Sequence, residues 1–338
     1  MSQPTATANA DHLGTRVSVV VPSYNHAQFV AMTLRSIMKQ TCAPAELIVI
    51  DDGSTDDSPG IIEQTLKECP FPCELIVRSN RGLCATLNEG LARTEGDYFA
   101  YLGSDDVWLP NFLKERVRLL QSRTDAVLAY GHAYFVDKQN RIVDCTADWA
   151  NYVDGDVRAM LLNTIAPMSP TVLYRRAALE KEPWNEQAKL EDYDLYLRLS
   201  TIGKFAFDPQ VLSAWRLHAK NTSLDQMFML KEQLAAQRTV APVLGLSDQE
   251  LEKLQTRTRF SRAEDFIRVG DKRTAIRLMG ANLNGARSLR SLARMLIRLG
   301  LPMSFVRKRN AAKQSRAGER FGSIEFVNED GRARSGGD

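Results

Sequence analysis

Residues 17–25 read Val-Ser-Val-Val-Val-Pro-Ser-Tyr-Asn. An unbroken β-branched run closed by proline and a polar turn is the pattern of a strand buried on both faces. Residues 27–40 follow with Phe29, Val30, Leu34, Ile37 and Met38 at helical spacing. The alternation then repeats. A short apolar run at 47–50 leads into the turn-rich residues 51–57, and 61–69, 75–77, 83–93 and 98–102 read as helix, strand, helix and strand. Helical crossovers make such strands parallel, so the first 110 residues predict an open α/β sheet. Farther on, 126–136 and 171–174 read as strands, 191–202 as a helix and 211–218 as a final strand.

Ligands of an open α/β sheet bind beyond the carboxyl ends of its strands. The unusual residues lie there: Pro22 to Asn25 after the first strand, Asp51 to Asp56 after the second, and Gly103-Ser-Asp-Asp106 after the strand at 98–102. Each loop alone is ordinary turn chemistry; three at one edge point to a site. Asp105 and Asp106 form a costly like-charge pair unless a cation or donors share them. Oxygen ligands favour Mg²⁺ or Mn²⁺, which commonly take one or two carboxylates together with substrate phosphates. No G-x-G-x-x-G follows the first strand and no G-x-x-x-x-G-K-[ST] occurs, which excludes the usual dinucleotide and P-loop devices.

The segments Val17-Ser-Val-Val-Val-Pro-Ser-Tyr-Asn25, Ile48-Val-Ile-Asp-Asp-Gly-Ser-Thr-Asp56, Leu102-Gly-Ser-Asp-Asp-Val-Trp-Leu-Pro110, Glu191-Asp-Tyr-Asp-Leu-Tyr-Leu-Arg-Leu199 and Trp215-Arg-Leu-His218 occur in that order. Together they resemble the family 2 glycosyltransferases of the GT-A fold, the bacterial surface-polysaccharide type, over residues 16–222. The resemblance implies an inverting transferase that moves a sugar from a nucleotide-diphosphate sugar to a hydroxyl of a glycan or lipid-linked glycan, in lipopolysaccharide, O-antigen or capsule synthesis. It also implies roles. Pro22, Tyr24 and Asn25 line the nucleoside pocket, Asp52 accepts from the base, and Arg81 lies on a loop near the nucleotide. Asp105 and Asp106 hold Mn²⁺ or Mg²⁺ on the diphosphate, with His218 beside it. Asp192 is the general base and Glu191 orients substrate. The usual Asp-x-Asp reads Gly103-Ser104-Asp105, so its first acid is missing and ligation falls on Asp105 and Asp106. His26 and His132 receive no role, and residues 145–170 fall where acceptor loops lie. A polyprenyl-phosphate sugar synthase and a non-catalytic nucleotide-sugar-binding subunit are the alternatives.

The chain has 338 residues and a net charge of +3, with 44% hydrophobic and 25% charged residues. That composition excludes disordered, collagen-like and disulfide-scaffold classes. Five scattered cysteines form no disulfide framework and suit a reducing compartment. The neutral total conceals a division: residues 1–225 carry −7 and residues 226–338 carry +10. From about 226 only helices are expected, with breaks near 246–247, 270, 280–285 and 300–302. The resulting order is a flexible segment 1–15, a catalytic domain 16–225, a basic helical region 226–310 and a disordered tail 311–338. Between Lys272 and Arg316 there are 12 basic residues and no acid. Within this stretch Leu289, Leu292, Leu296 and Leu299 form one stripe, and Arg287, Arg290, Arg294 and Arg298 another. A basic amphipathic helix of this kind suits an anionic membrane surface, a dimer contact or packing on the catalytic domain. Its leucine content disfavours nucleic acid. With neither a signal peptide nor a spanning segment in the sequence, the expected location is cytoplasmic, peripheral on the inner membrane face.

Overall fold

The computed structural model describes residues 15–219 and 221–324. The expected flexible segment therefore lies almost wholly outside the described residues. The first half alternates as the sequence predicts: β1 (Val17–Ser23), α1 (Val30–Met38), β2 (Glu46–Asp51), α2 (Ser58–Leu66), β3 (Cys73–Val77), α3 (Leu83–Arg93) and β4 (Tyr98–Tyr101). These strands are parallel in the order β3-β2-β1-β4, with Val19 opposite Leu47 and Ala100. Val19, Val20 and Val21 have no exposed surface, because helices cover both faces. Gly90 of α3 lets that helix lie on β1: a Cβ there would stand 2.7 Å from the Val20 methyls.

The sheet continues through β5 (Val107–Trp108), α4 (Phe112–Ser122), β6 (Ala126–Val136), β7 (Ile142–Cys145), α5 (Arg158–Leu162), β8 (Leu173–Arg175), α6 (Arg176–Lys181), α7 (Glu191–Ile202) and β9 (Lys204–Arg216). The full order is β3-β2-β1-β4-β8-β6-β9-β5, with β7 paired to β6. The final strand starts at Lys204, well before the expected 211, and its register with β6 shifts near Gly131 and His132. That shift leaves Asp208 beneath α4, where it meets the fully buried guanidinium of Arg116. Burial pushes Arg116 down to about 10 against the opposing pull of Asp208, which leaves it charged at neutral pH.

The remaining chain forms α8 (Gln226–Val240), α9 (Asp248–Val269), α10 (Lys272–Ala281), α11 (Leu289–Gly300) and α12 (Met303–Phe321). The breaks fall where expected. Ser247 and Glu250 form a capping box at the start of α9, and Gly270 ends it at φ +95°. Leu292 and Met295 of α11 pack with Phe260, Phe266 and Met279 in a separate small core. The expected leucine stripe is divided: Leu292 and Leu299 face that core, whereas Leu289, Leu296 and Ile297 are 85%, 55% and 66% exposed.

The expected disordered tail requires correction where the chain is described. Residues 311–321 are the second half of α12. That helix is polar nearly all round, as a solvent-bridging helix is, and its far end is anchored. Phe321 and Ile324 join Val136, Ile142 and Ala214 in a cluster, and Ser323 bridges Arg141. Lys313 pairs with Asp144 and Arg320 with Asp148. Two apolar residues beyond the polar stretch thus return the chain to the catalytic sheet. Residues 325–338 lie outside the described range. Among the described residues, no helix is long and apolar enough to cross a membrane.

Candidate active site

The loops after β1, β2 and β4 meet at one edge, and their side chains bind one another before any ligand arrives. Asn25, at φ 56°, accepts at Oδ1 from the backbone N–H of Thr55 at 2.7 Å, and its own N–H donates to Ser54 Oγ at 2.8 Å. Ser54 in turn donates from N–H and Oγ to Asp51 at 2.8 and 2.6 Å. Asp52 turns toward the next loop, accepting from the N–H groups of Arg81 and Gly82 at 2.9 and 2.8 Å and from Arg78. Its carboxylate therefore fixes residues 78–82. Gly53, at φ +80°, permits that approach, since a Cβ would stand 2.8 Å from the Asn80 nitrogen. Tyr24 remains 48% exposed.

The loop after β4 is held by Arg216 at the end of β9. Its backbone N–H donates to Asp106 Oδ1 at 2.9 Å and its Nε–H to the Asp105 carbonyl at 2.7 Å. Thr33 donates to the Asp106 carbonyl at 2.7 Å. Two residues after Arg216 comes His218. Its Nε2 lies 2.7 Å from Asp105 Oδ2, and Phe29 stacks on its ring with Arg216 over that same phenyl. His26 approaches from the other side, with Nδ1 2.8 Å from Ser104 Oγ and 3.7 Å from Asp105 Oδ1. Donor atoms of His26, Asp105 and His218 all lie within 4.8 Å of one another, close enough to share one cation. Asp105 and His218 are thus assembled as expected. His26, given no role by the sequence, completes the group, and Asp106 stands outside it. Burial, then the Asp105 charge, pushes the Asp106 carboxyl well up. Burial also opposes ionisation of Asp105, but the His218 hydrogen bond and the two imidazoles prevail and hold it below the usual carboxylate range.

The donor set fits a divalent ion, and it differs from the expected Asp105, Asp106 and His218 in having His26 where Asp106 was expected. Two imidazoles and one carboxylate suit Mn²⁺ and the later transition metals better than Mg²⁺. Gly103 occupies the missing acid's place. A Cβ there would stand 3.0 Å from Asp105 Oδ1 and 3.2 Å from Asp106 Oδ2, so both carboxylates crowd the place where a side chain would begin.

Glu191 and Asp192 form the first turn of α7, where the helix dipole favours negative charge. Asp192 Oδ1 accepts from the Tyr193 N–H at 2.6 Å. Both side chains keep some surface toward the cavity yet lie deep within it. Burial pushes Asp192 up to about 6, and burial together with Asp192 pushes Glu191 up to about 8. A single cavity of about 1760 Å³ joins Pro22, Tyr24, Asp52 and Arg81 at one end to the His26–Asp105–His218 group and the Glu191–Asp192 pair. That exceeds the roughly 300–1,000 Å³ of a pocket for one small ligand, which leaves room for two substrates. In the expected acceptor region, Trp149 and Met168 line the cavity, whereas Tyr152 packs on Tyr130 and His132.

A mixed α/β sheet with this loop edge, a His–Asp–His group and a half-buried acid pair in one cleft points to a class of protein, and comparison with known proteins agrees. The glycosyl transferase family 2 model matches residues 18–182. A glycosyltransferase of Haemophilus influenzae is 30% identical over 222 residues, covering 61% of this chain and 67% of its own. One from a Nostoc species is 27% identical over 228 residues, covering 65% and 70%. Chondroitin synthase of Escherichia coli is 28% identical over 219 residues, covering 64% of this chain and 31% of its own. Among solved structures, S. aureus TarS 1-349 in complex with UDP-GlcNAc superposes with a TM-score of 0.58 at 17% identity, over 91% of this chain and 92% of that one. Mannosyltransferase PcManGT from Pyrobaculum calidifontis, in complex with GDP-Man and Mn²⁺, also gives 0.58, at 16% identity over 90% and 86%. The chain belongs to glycosyl transferase family 2 and has the GT-A fold.

Proposed function

We propose that this protein is an inverting glycosyltransferase moving a sugar from a nucleotide-diphosphate donor to a hydroxyl of a glycan or lipid-linked glycan in bacterial surface-polysaccharide synthesis. The observation that carries the reading is the single cavity joining the His26–Asp105–His218 group to a half-buried carboxylate pair. Tyr24 and Arg81 flank the nucleoside, on loops braced by Asn25 and Asp52. His26, Asp105 and His218 hold a divalent cation, preferentially Mn²⁺. When bound, that ion neutralises charge developing on the departing diphosphate. Asp192 takes the proton of the acceptor hydroxyl, and Glu191 beside it, carrying a proton near neutral pH, hydrogen-bonds and orients that acceptor. Attack opposite the leaving group inverts the anomeric centre. The complexes of TarS with UDP-GlcNAc and of PcManGT with GDP-Man support a nucleotide-sugar donor. Thermal-shift measurements with UDP-, GDP- and dTDP-sugars in Mn²⁺ test it. One donor at a hundred times its Kd adds about 2.7 kcal/mol of stability and raises the midpoint by several degrees. No shift with any of them at millimolar concentration would sink the reading.

The outward face of α11 supports attachment to the inner face of the cytoplasmic membrane. Leu289, Leu296 and Ile297 are exposed beside Arg290 and Arg294, the combination an interfacial helix uses on anionic lipid. Flotation with phosphatidylglycerol vesicles checks this: the wild-type protein rises with them and Arg290→Glu/Arg294→Glu does not. Equal flotation of both would place the contact elsewhere.

A further inference from the structure

The cavity does not end at the acid pair. It runs on to a wall built by the C-terminal helices, which carries charge of the opposite sign. Phe305, Arg309 and Lys313 stand four residues apart on α12, so one stripe of that exposed helix faces the cavity. Arg268 of α9 and Arg298 of α11 line the same wall, with Glu264 shared between them. Lys313 pairs with Asp144, while Arg309 has no ion pair or hydrogen bond among the described residues. The wall is therefore positive after pairing. Trp149 and Phe305, 50% and 52% exposed, present open aromatic surface to the same space.

Aromatic rings with one face open offer a sugar ring flat apolar contact, and guanidinium groups recognise carboxylate and phosphate oxygens. Side by side, they select a ligand having both features. We propose that the space between α9, α11 and α12 binds an acidic glycan. Its sugars rest on Trp149 and Phe305, and its carboxylate or phosphate groups pair with Arg309, Lys313 and Arg298. Resting on the transferase reading, this inference deepens it: the acceptor is a negatively charged glycan chain.

The test measures binding, by fluorescence anisotropy at low salt, of two labelled pairs: a hyaluronan hexasaccharide with its carboxyl-reduced neutral form, and a phosphorylated mannopentaose with its dephosphorylated form. The wild-type protein is expected to bind the acidic member of at least one pair ten-fold or more tightly than the neutral member, and the pair that discriminates tells carboxylate from phosphate. Arg309→Gln/Lys313→Gln is expected to abolish that preference, while Arg309→Lys retains most of it. Equal binding within both pairs, or a preference surviving the double variant, overturns the inference. So does complete displacement of the acidic glycan by phosphatidylglycerol vesicles, since the cations would then face lipid. Nucleotide-sugar binding by the same wild-type sample reports separately on the transferase reading.

Discussion

Replacing Asp192 by Asn is expected to lower kcat by about 10²- to 10⁴-fold, the usual contribution of a positioned general base, while the donor KM changes far less. The side chain keeps its shape and its Tyr193 hydrogen bond, so the loss reports on proton transfer. The wild-type pH profile carries the same signature. Burial pushes Asp192 up to about 6 and a base acts only when ionised, so kcat/KM falls about ten-fold per pH unit below that value. Stability runs the other way. An acid whose folded pKa is raised stabilises fully below its unfolded pKa, and that contribution is lost as pH rises through the folded pKa. Glu191→Gln is therefore expected to raise the melting temperature at pH 8.5, above the value of about 8 for Glu191, and to leave it unchanged near pH 4. An Asp192→Asn variant with near-normal turnover, or an Asp192 profile breaking near pH 4, would remove Asp192 from the base role.

Asp105→Ala is expected to weaken Mn²⁺ binding at least roughly 100-fold and His26→Gln at least roughly ten-fold, since even outer-shell partners of metal ligands contribute 10- to 100-fold. Electron paramagnetic resonance with bound Mn²⁺ reads both, and spin-echo modulation reports nitrogen ligands directly. Two imidazole nitrogens are expected in the wild type and one in His26→Gln. Mg²⁺ should compete poorly, because imidazole does not suit it. A spectrum without nitrogen coupling, or Mg²⁺ binding as tightly as Mn²⁺, would return the site to oxygen ligands alone.

The half of the fold built from β1 to β4 was legible because β1, β2 and β4 are buried and read as apolar runs, and the exposed edge strand β3 still carries Leu75, Ile76 and Val77. Helix α4 was not, although Phe112, Leu113, Val117 and Leu120 are correctly spaced. Its stripe contains Arg116, whose burial is tolerable only because Asp208 arrives from 92 residues away. Strand β5 has two residues and carries no periodicity. At the site, the three loops announced themselves through turn chemistry and the acid pair through its place at a helix start. His26 did not, because nothing in a linear chain brings residue 26 to Asp105. The missing acid at Gly103 was the available signal: a lost ligand asks for a substitute, and the adjoining loop supplies one. The polar composition of residues 311–321 suggested disorder because Phe321 and Ile324 count as anchors only once the β6–β7 hairpin is there to receive them.

That anchoring has a mechanical consequence. Helix α8 already seats the helical region on the catalytic domain, with Ala236 and Val240 in its core and Gln237 donating to the Leu162 carbonyl. The return of Ser323 and Ile324 to Arg141 and Asn140 joins it again at the far end of α12. Held at α8 and again at Ile324, the helical wall of the cleft can draw away from the sheet only by breaking both attachments.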